Sequence, residues 1–125
     1  MTTLTENPRN WEFLVSEDNG DFSREQFTLI SGQNLKAGTV IGKITASGKY
    51  TILAPAAVDG SQNAIAVLGP ATDASAADKR TAGIVGGAGI SVEVNGNLLT
   101  WPAGITAPQK VTAIAALLAA GVKIR

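Results

Sequence analysis

Few residues in this 125-residue chain are of the types that carry out catalysis or bind metals. Cysteine and histidine are both absent from the sequence. Their absence excludes disulfides, thiolate nucleophiles, Ser-His-Asp triads and zinc sites built from Cys or His. The carboxylates remain as candidates for acid–base or metal chemistry. Residues 26–125 contain four of them, namely Asp59, Asp73, Asp78 and Glu93.

The three aspartates of this region lie next to Gly, Ser or Ala, in sequence typical of loops. None of them has the alternating acidic spacing of a calcium-binding loop, and Asp18-x-x-Asp21 is too sparse for one. Aspartate side chains often accept hydrogen bonds from the following backbone and so stabilise turns. We therefore expect turn and capping roles, and the sequence predicts no catalytic residue, no metal ligand and no bound cofactor.

Two glycine-containing segments have the wrong spacing for nucleotide binding. Gly38 and Gly42 are separated by three residues where a phosphate loop needs four, and Ile44 stands where that motif needs Ser or Thr. The glycines between 83 and 89 do not match the dinucleotide-binding spacing and precede a predicted strand. We expect these glycines to serve in bends or in close backbone packing.

The few aromatic residues suggest contact surfaces rather than chemistry. Trp11, Phe13 and Val15 alternate, so they share one face if the segment is extended. Two interpretations remain open: this segment is the first strand of the core, or it docks on another protein through these side chains. Trp101, which precedes Pro102, is likewise either a core plug beside the last helix or an anchor of a subunit interface.

The zero net charge of the chain hides an uneven distribution. Residues 1–25 contain six acids and two bases, a net charge of −4, whereas residues 26–125 contain four acids and eight bases, a net charge of +4. The bases are scattered, which predicts neither nucleic-acid binding nor a membrane-surface patch. We expect an extended arm at 1–25 followed by a β-rich domain at 26–125.

Short β-branched segments between turn residues predict that this domain is mainly β. The predicted strands are 27–30, 39–45, 50–53, 64–68, 81–85, 90–94 and 122–125. Asn95-Gly96 predicts a hairpin that returns along 98–100, and residues 71–80 are predicted to form a polar connection.

One helix is predicted near the end of the chain. Thr106 and Gln109 have the spacing of a capping box, with Pro108 in the first turn. Gly121 is well placed to end the helix. The i, i+3, i+4, i+7 spacing predicts one buried face, formed by Val111, Ile114, Ala115 and Leu118.

No targeting or membrane-spanning segment is predicted. The N-terminal residues are polar and lack the apolar core of a signal peptide. The longest strongly apolar stretch, 111–122, is shorter than the roughly 20 residues that cross a bilayer. The sequence predicts a soluble protein made in a cytoplasm.

Four segments of the chain together resemble one known family. They are 34–43 (NLKAGTVIGK), Asp59-Gly60-Ser61 leading into 66–68, Leu99-Thr100-Trp101-Pro102 before the helix, and the arm segment 6–15 (ENPRNWEFLV). In this order they resemble the head decoration protein D family of tailed bacteriophages of the lambda type. The resemblance covers essentially the whole chain, although the arm is more acidic and aromatic than that of the lambda protein.

The resemblance implies both a fold and a function. The fold is a small β-clip-like barrel or sandwich of short strands with one C-terminal helix and an extended arm. The function is that of a homotrimer which binds the major capsid protein of the same phage. It binds on the outer surface of the expanded head, at three-fold and quasi-three-fold positions, after synthesis in the host cytoplasm. There it cements the shell of the virion against DNA pressure.

Under this interpretation, the candidate capsid-binding residues of the arm are Pro8, Arg9, Trp11, Phe13 and Val15. Trp101 and Pro102 are candidates for a core or interface anchor, and the glycine-rich segment 83–89 and the helix are candidates for the trimer interface. Two alternatives remain. One is a trimeric surface-displayed module that binds glycans or host surfaces, and the other is an enzyme such as a nucleotide hydrolase. The enzyme would need converging acids, so no enzyme is predicted.

Overall fold

A computed structural model describes residues 14–16, 24–86 and 92–124 of the chain. These residues form short strands, one 3-10 helix at Gly96–Leu98 and one α-helix, α1, at Ala107–Ala119. The strands are β1 (Leu14–Ser16), β2 (Arg24–Leu29), β3 (Gln33–Leu35), β4 (Val40–Lys43), β5 (Tyr50–Ile52), β6 (Ala64–Leu68), β7 (Thr72–Ala74), β8 (Lys79–Val85), β9 (Val92–Val94) and β10 (Val122–Ile124). The prediction of a mainly β fold with one C-terminal helix is confirmed.

Five strands close into a small barrel in the order β2-β5-β4-β6-β8. The β2–β5 pairing is parallel, and the other pairings between neighbours are antiparallel. β4 and β5 form a hairpin whose turn contains Gly48 at φ +71°, where the sequence predicted a tight turn. Closure pairs both edges of every barrel strand, which protects these backbone groups from pairing with other chains.

A glycine bends the barrel wall as the sequence predicted. The register between β4 and β6 shifts between Ile41 and Gly42. A Cβ atom at Gly42 would lie 2.5 Å from the carbonyl oxygen of Ser61, and one at Gly83 would lie 2.5 Å from that of Val67. Neither position has room for a side chain, so these glycines allow backbones to approach closely, and Gly42 marks a bulge.

Two small sheets flank the barrel. The first has the order β1-β9-β10, in which β9 is antiparallel to β1 and parallel to β10. The second pairs β3 with β7. β1 lies within the segment 1–25 that the sequence assigned to an arm, and its Leu14 packs against the buried core.

Buried side chains form two clusters, one on each side of the wall made by β4, β6 and β8. Neighbouring residues of a strand point to opposite faces, so Val40 joins one cluster and Ile41 the other, as do Ile84 and Val85. The inner cluster takes residues from all five barrel strands and includes Phe27, whose ring meets that of Tyr50 edge-on at 4.4 Å. The outer cluster joins the wall to β9, β10 and α1.

The helix begins and ends where the sequence predicted. The Thr106 hydroxyl accepts a hydrogen bond from the backbone N–H of Gln109, whose side chain accepts one from the N–H of Thr106, so the capping box is complete. Gly121 takes φ +93° beyond the helix end, and strand β10 follows directly.

The predicted buried face of the helix is wrong. Ala113 and Leu117 are buried, whereas Val111 and Leu118 are 66% and 57% exposed. Ile114 is only half-buried and Ala115 is exposed. Because the helix is apolar around most of its circumference, spacing alone did not decide which side faces the core.

Two further expectations are corrected. Asn95-Gly96 does not turn a hairpin: Asn95 has φ −86°, and its side chain accepts the Asn97 N–H to begin the 3-10 helix. A two-residue hairpin of the expected type needs positive φ at both central residues, and the partners of β9 are instead β1 and β10. Residues 71–80 are not merely a connection, because they contain β7 and the start of β8.

No helix in the described part of the chain reaches the length and hydropathy that a membrane span requires.

The steric role of Gly42 gives a test of the fold. We expect Gly42→Ala to destabilise the protein by about 3 kcal/mol, because the new methyl group meets the backbone carbonyl of Ser61. The control is Gly104→Ala, at φ +78° with open space around the position; it should cost only about 1 kcal/mol, from backbone conformation. Urea unfolding measures both, and a Gly42→Ala protein as stable as the control would contradict the packing described.

Candidate functional site

The carboxylates singled out in the sequence are engaged in the fold of their own loops. The Asp59 carboxylate accepts hydrogen bonds from the Ser61 hydroxyl at 2.5 Å and the Ser61 backbone N–H at 3.0 Å. Asp73 accepts the same two groups of Ser75, at 2.6 and 3.0 Å. These hydrogen bonds, the hydroxyl first, lower the pKa of both carboxyls below its ordinary value. Both acids are therefore ionised turn residues, as the sequence predicted.

Asp78 joins three loops. One carboxylate oxygen lies 2.5 Å from the Lys49 ammonium, and the other accepts the Ser31 backbone N–H at 2.8 Å. The hydrogen bond from Lys49, followed by that from Ser31, lowers the pKa of Asp78. The acid thus ties the β7–β8 loop to the β2–β3 turn and the β4–β5 hairpin. Within the described residues, acids do not gather in a group of three or more that could hold a metal ion.

The segment that resembled a phosphate loop has no free amides to offer an anion. The N–H of Gly38 donates to Leu68 O at 2.8 Å, and that of Val40 donates to Thr100 O at 3.0 Å. The N–H of Thr39 donates to Lys36 O within the turn at Gly38. A phosphate site requires backbone N–H groups that point at the ligand, so this geometry supports the interpretation of the segment as a turn and a bent strand.

The loop of residues 54–63, here the Val58 loop, presents an apolar side chain to solvent. Val58 is 95% exposed, yet the loop beneath it is extensively hydrogen-bonded. Ala54 N–H donates to Ser61 O at 3.0 Å, and Thr45 N–H donates to Asp59 O at 2.9 Å. Gly60, at φ +106°, donates to the Gln62 side chain at 2.8 Å. Val58 is thus held in solvent by a well-bonded loop, and a single exposed apolar side chain of this kind is common on protein surfaces.

An open groove of about 210 Å³ separates the Val58 loop from α1. The loop contributes Pro55, Gln62 and Asn63, and the helix contributes Gln109, Thr112 and Ala116. A second groove of about 280 Å³ lies on the other side of Asn63 and includes Lys43 and Thr45. Both grooves present amide and hydroxyl groups beside apolar side chains.

Trp101 lies between the domain core and its surface. Its half-buried ring packs against the outer cluster, and the Lys110 ammonium lies 5.2 Å from the ring centroid. Pro102 is half-buried beside it. Trp101 thus supports α1 through the outer cluster and remains partly exposed.

Most of the arm candidates lie outside the described residues, namely Pro8, Arg9, Trp11 and Phe13. Val15 belongs to β1, which pairs with β9. Sequence reasoning missed the exposed side of α1 and the projection of Val58. The signal available for the helix was that both of its faces are apolar, since the described residues bury only one of them.

The chain matches the family model described as bacteriophage lambda head decoration protein D over residues 3–122. The match spans nearly the whole sequence. This chain belongs to that family. Comparison with individually curated proteins gives no match.

Membership in the lambda head decoration protein D family identifies the chain as a phage head decoration protein with its place on the virion capsid. The family is structural rather than enzymatic. In this chain, Asp59, Asp73 and Asp78 stabilise turns and join loops.

The role of Asp78 predicts how stability depends on pH. Its pKa is lowered in the folded state, so its contribution is present above the ordinary value of 3.8 and is lost as the pH falls through the folded pKa. We expect Asp78→Asn to destabilise the protein at pH 7 and to reduce the further loss of stability between pH 5 and pH 2. Lys49→Met keeps the Ser31 bond and should remove only part of this pH dependence. Urea unfolding across pH provides the measurement, and an unchanged profile for Asp78→Asn would contradict the assigned role.

The position of Trp101 gives a second prediction. Trp101→Ala should lower the free energy of unfolding by about 2–3 kcal/mol, less than a fully buried Trp because one edge is exposed. The control Lys110→Met removes only the cation over the ring and should cost about 0.5–1 kcal/mol. Thermal and urea unfolding compare the two, and unchanged stability of Trp101→Ala would show that the ring does not support the core.

Proposed function

We propose that this chain binds as a homotrimer to the outer surface of the expanded phage head, at three-fold and quasi-three-fold positions. There it contacts the major capsid protein of the same phage and stabilises the shell against the pressure of packaged DNA. The observation that carries this proposal is the family match over residues 3–122. The domain geometry supports it, because the described residues form a well-bonded body with projecting apolar side chains.

The N-terminal segment, of which residues 1–13 precede β1, is proposed as the capsid-binding arm. Its attachment to the body is well defined, since Leu14 packs against the outer cluster and pairs with Val94 of β9. In the sequence, residues 1–13 precede β1, which is an edge strand of the β1-β9-β10 sheet. Trp11 and Phe13 lie within the last three of these residues and are the proposed anchors, because aromatic side chains often dominate binding energies.

Three arms on one trimer make binding multivalent. Each arm needs only a modest affinity, because tethered contacts raise the apparent affinity by roughly 10²–10⁴-fold. An acceptor groove that forms only when the shell expands would delay decoration until that stage. Expansion would then bring all three acceptor sites to the spacing of the trimer.

The proposal is tested by titrating fluorescently labelled chain onto expanded and unexpanded undecorated shells of the phage that encodes it. We expect saturable binding to expanded shells and at least about 100-fold weaker binding to unexpanded ones. Equal binding to both shell forms would contradict the proposed dependence on expansion. Failure of the full chain to bind expanded shells would overturn the decoration proposal itself.

The role of the arm is tested by deleting residues 1–13, which keeps β1 and its contacts with β9. The truncated chain should stay folded and lose at least about 100-fold in affinity for expanded shells, because each trimer loses three contacts at once. Trp11→Ala with Phe13→Ala should reproduce most of this loss, whereas the control Thr3→Ala with Thr5→Ala should not. Full-strength binding by the truncated chain would assign shell contact to the body instead.

A further inference from the structure

One side of α1 carries an apolar stripe that no described part of the chain fully covers. The stripe consists of Ala107, Val111, Ile114 and Leu118. Val111 and Leu118 are 66% and 57% exposed, Ala107 is exposed and Ile114 is half-buried. The neighbouring Leu117, in contrast, is completely buried against the outer cluster. The exposure of Leu118 therefore reflects the orientation of the helix and not a lack of core.

The spacing of the stripe is that of a helix–helix seam. Successive members are four, three and four residues apart, which is the alternation of the a and d positions in a heptad. Val, Ile and Leu occupy three of these positions, and such side chains interlock with the same pattern on a facing helix. The same stripe on another copy of α1 is a facing pattern of this kind.

The stripe itself carries no ionisable side chain. Lys110 is the single ionisable residue of α1, and its ammonium lies over the Trp101 ring. Two copies of α1 can therefore meet along the stripe without burying a charged side chain.

We propose that copies of this chain contact one another through the apolar stripe, with α1 packed against α1. The number of copies, three, rests on the proposed function, whereas the position of the contact rests on the stripe itself. The exposed small residues Ala115 and Ala119 lie beside the stripe and allow close approach of helix backbones. In a trimer the three helices surround the three-fold axis, and each stripe is shared by two neighbours.

The size of the stripe fixes its share of the interface. A 13-residue helix is about 20 Å long, so the stripe covers roughly 200 Å², about a quarter of the area that one partner buries in a standard interface. It therefore forms the apolar centre, and the surface around it supplies a polar rim.

The test places the same charge at two adjacent helix positions. Val111→Asp puts a carboxylate in the stripe, whereas Thr112→Asp puts one at an exposed position that faces the groove beside the Val58 loop. We expect Val111→Asp to weaken self-association at least about 100-fold, because burying unpaired like charges is strongly unfavourable. Thr112→Asp should associate like the unmodified chain. Sedimentation velocity over a range of concentrations measures the association, and circular dichroism confirms that both variants fold.

Leu118→Gln is a second stripe variant. If Val111→Asp does not fold, the self-association of Leu118→Gln tests the proposal instead. Weakened association of either folded stripe variant, with a normal control, supports the proposal. Association that both stripe variants retain, or a monomeric unmodified chain at high concentration, overturns it.

Shell binding separates this proposal from the proposed function. A monomeric stripe variant that still binds expanded shells with reduced affinity supports both proposals. A stripe variant that remains associated but no longer binds shells would make α1 a shell contact, which overturns the present inference and leaves decoration intact. If the unmodified chain associates and only the stripe variants dissociate, yet none binds shells, the interface stands and the proposed function fails.

Discussion

The wall formed by β4, β6 and β8 holds the domain together because its two faces serve two different cores. Val40 and Ile84 face the outer cluster, while Ile41 and Val85 face the inner one. Such a wall must be apolar on both sides and thin enough for other backbones to lie close to it. Gly42 and Gly83 meet the second requirement, since a Cβ atom at either position would collide with a carbonyl oxygen. The helix, the β1-β9-β10 sheet and the closed barrel all depend on this shared layer.

The scarcity of large side chains also affects which apolar groups remain on the surface. With few aromatic residues, the domain covers its core with one helix that buries Ala113 and Leu117 and leaves a second apolar side outward. Its polar groups are used within the fold, as in the hydrogen bonds of Asp59, Asp73 and Asp78. The domain thus offers shape and apolar contact, which suits a phage head decoration protein.

Features governed by local chemistry were predictable from the sequence. The capping box of Thr106 and Gln109, the tight turns at Gly38 and Gly48 and the bend at Gly42 are set by neighbouring residues. The family resemblance was predictable too, because it rests on ordered segments along the whole chain. Features decided by distant contacts were not predictable. The buried side of α1 depends on where the barrel wall lies. Strand β9 pairs with β1 and β10 instead of forming a hairpin at Asn95. For Trp11 and Phe13, no described contact tests the proposed docking, so that role stays a proposal.

A cryo-electron microscopy reconstruction of expanded shells saturated with this protein tests the account most directly. The account predicts three copies around each local three-fold axis on the outer surface. The α1 helices should face one another at that axis, and the segment before β1 should run along the shell. Density that places α1 against the capsid protein and leaves the three copies without mutual contact would contradict it.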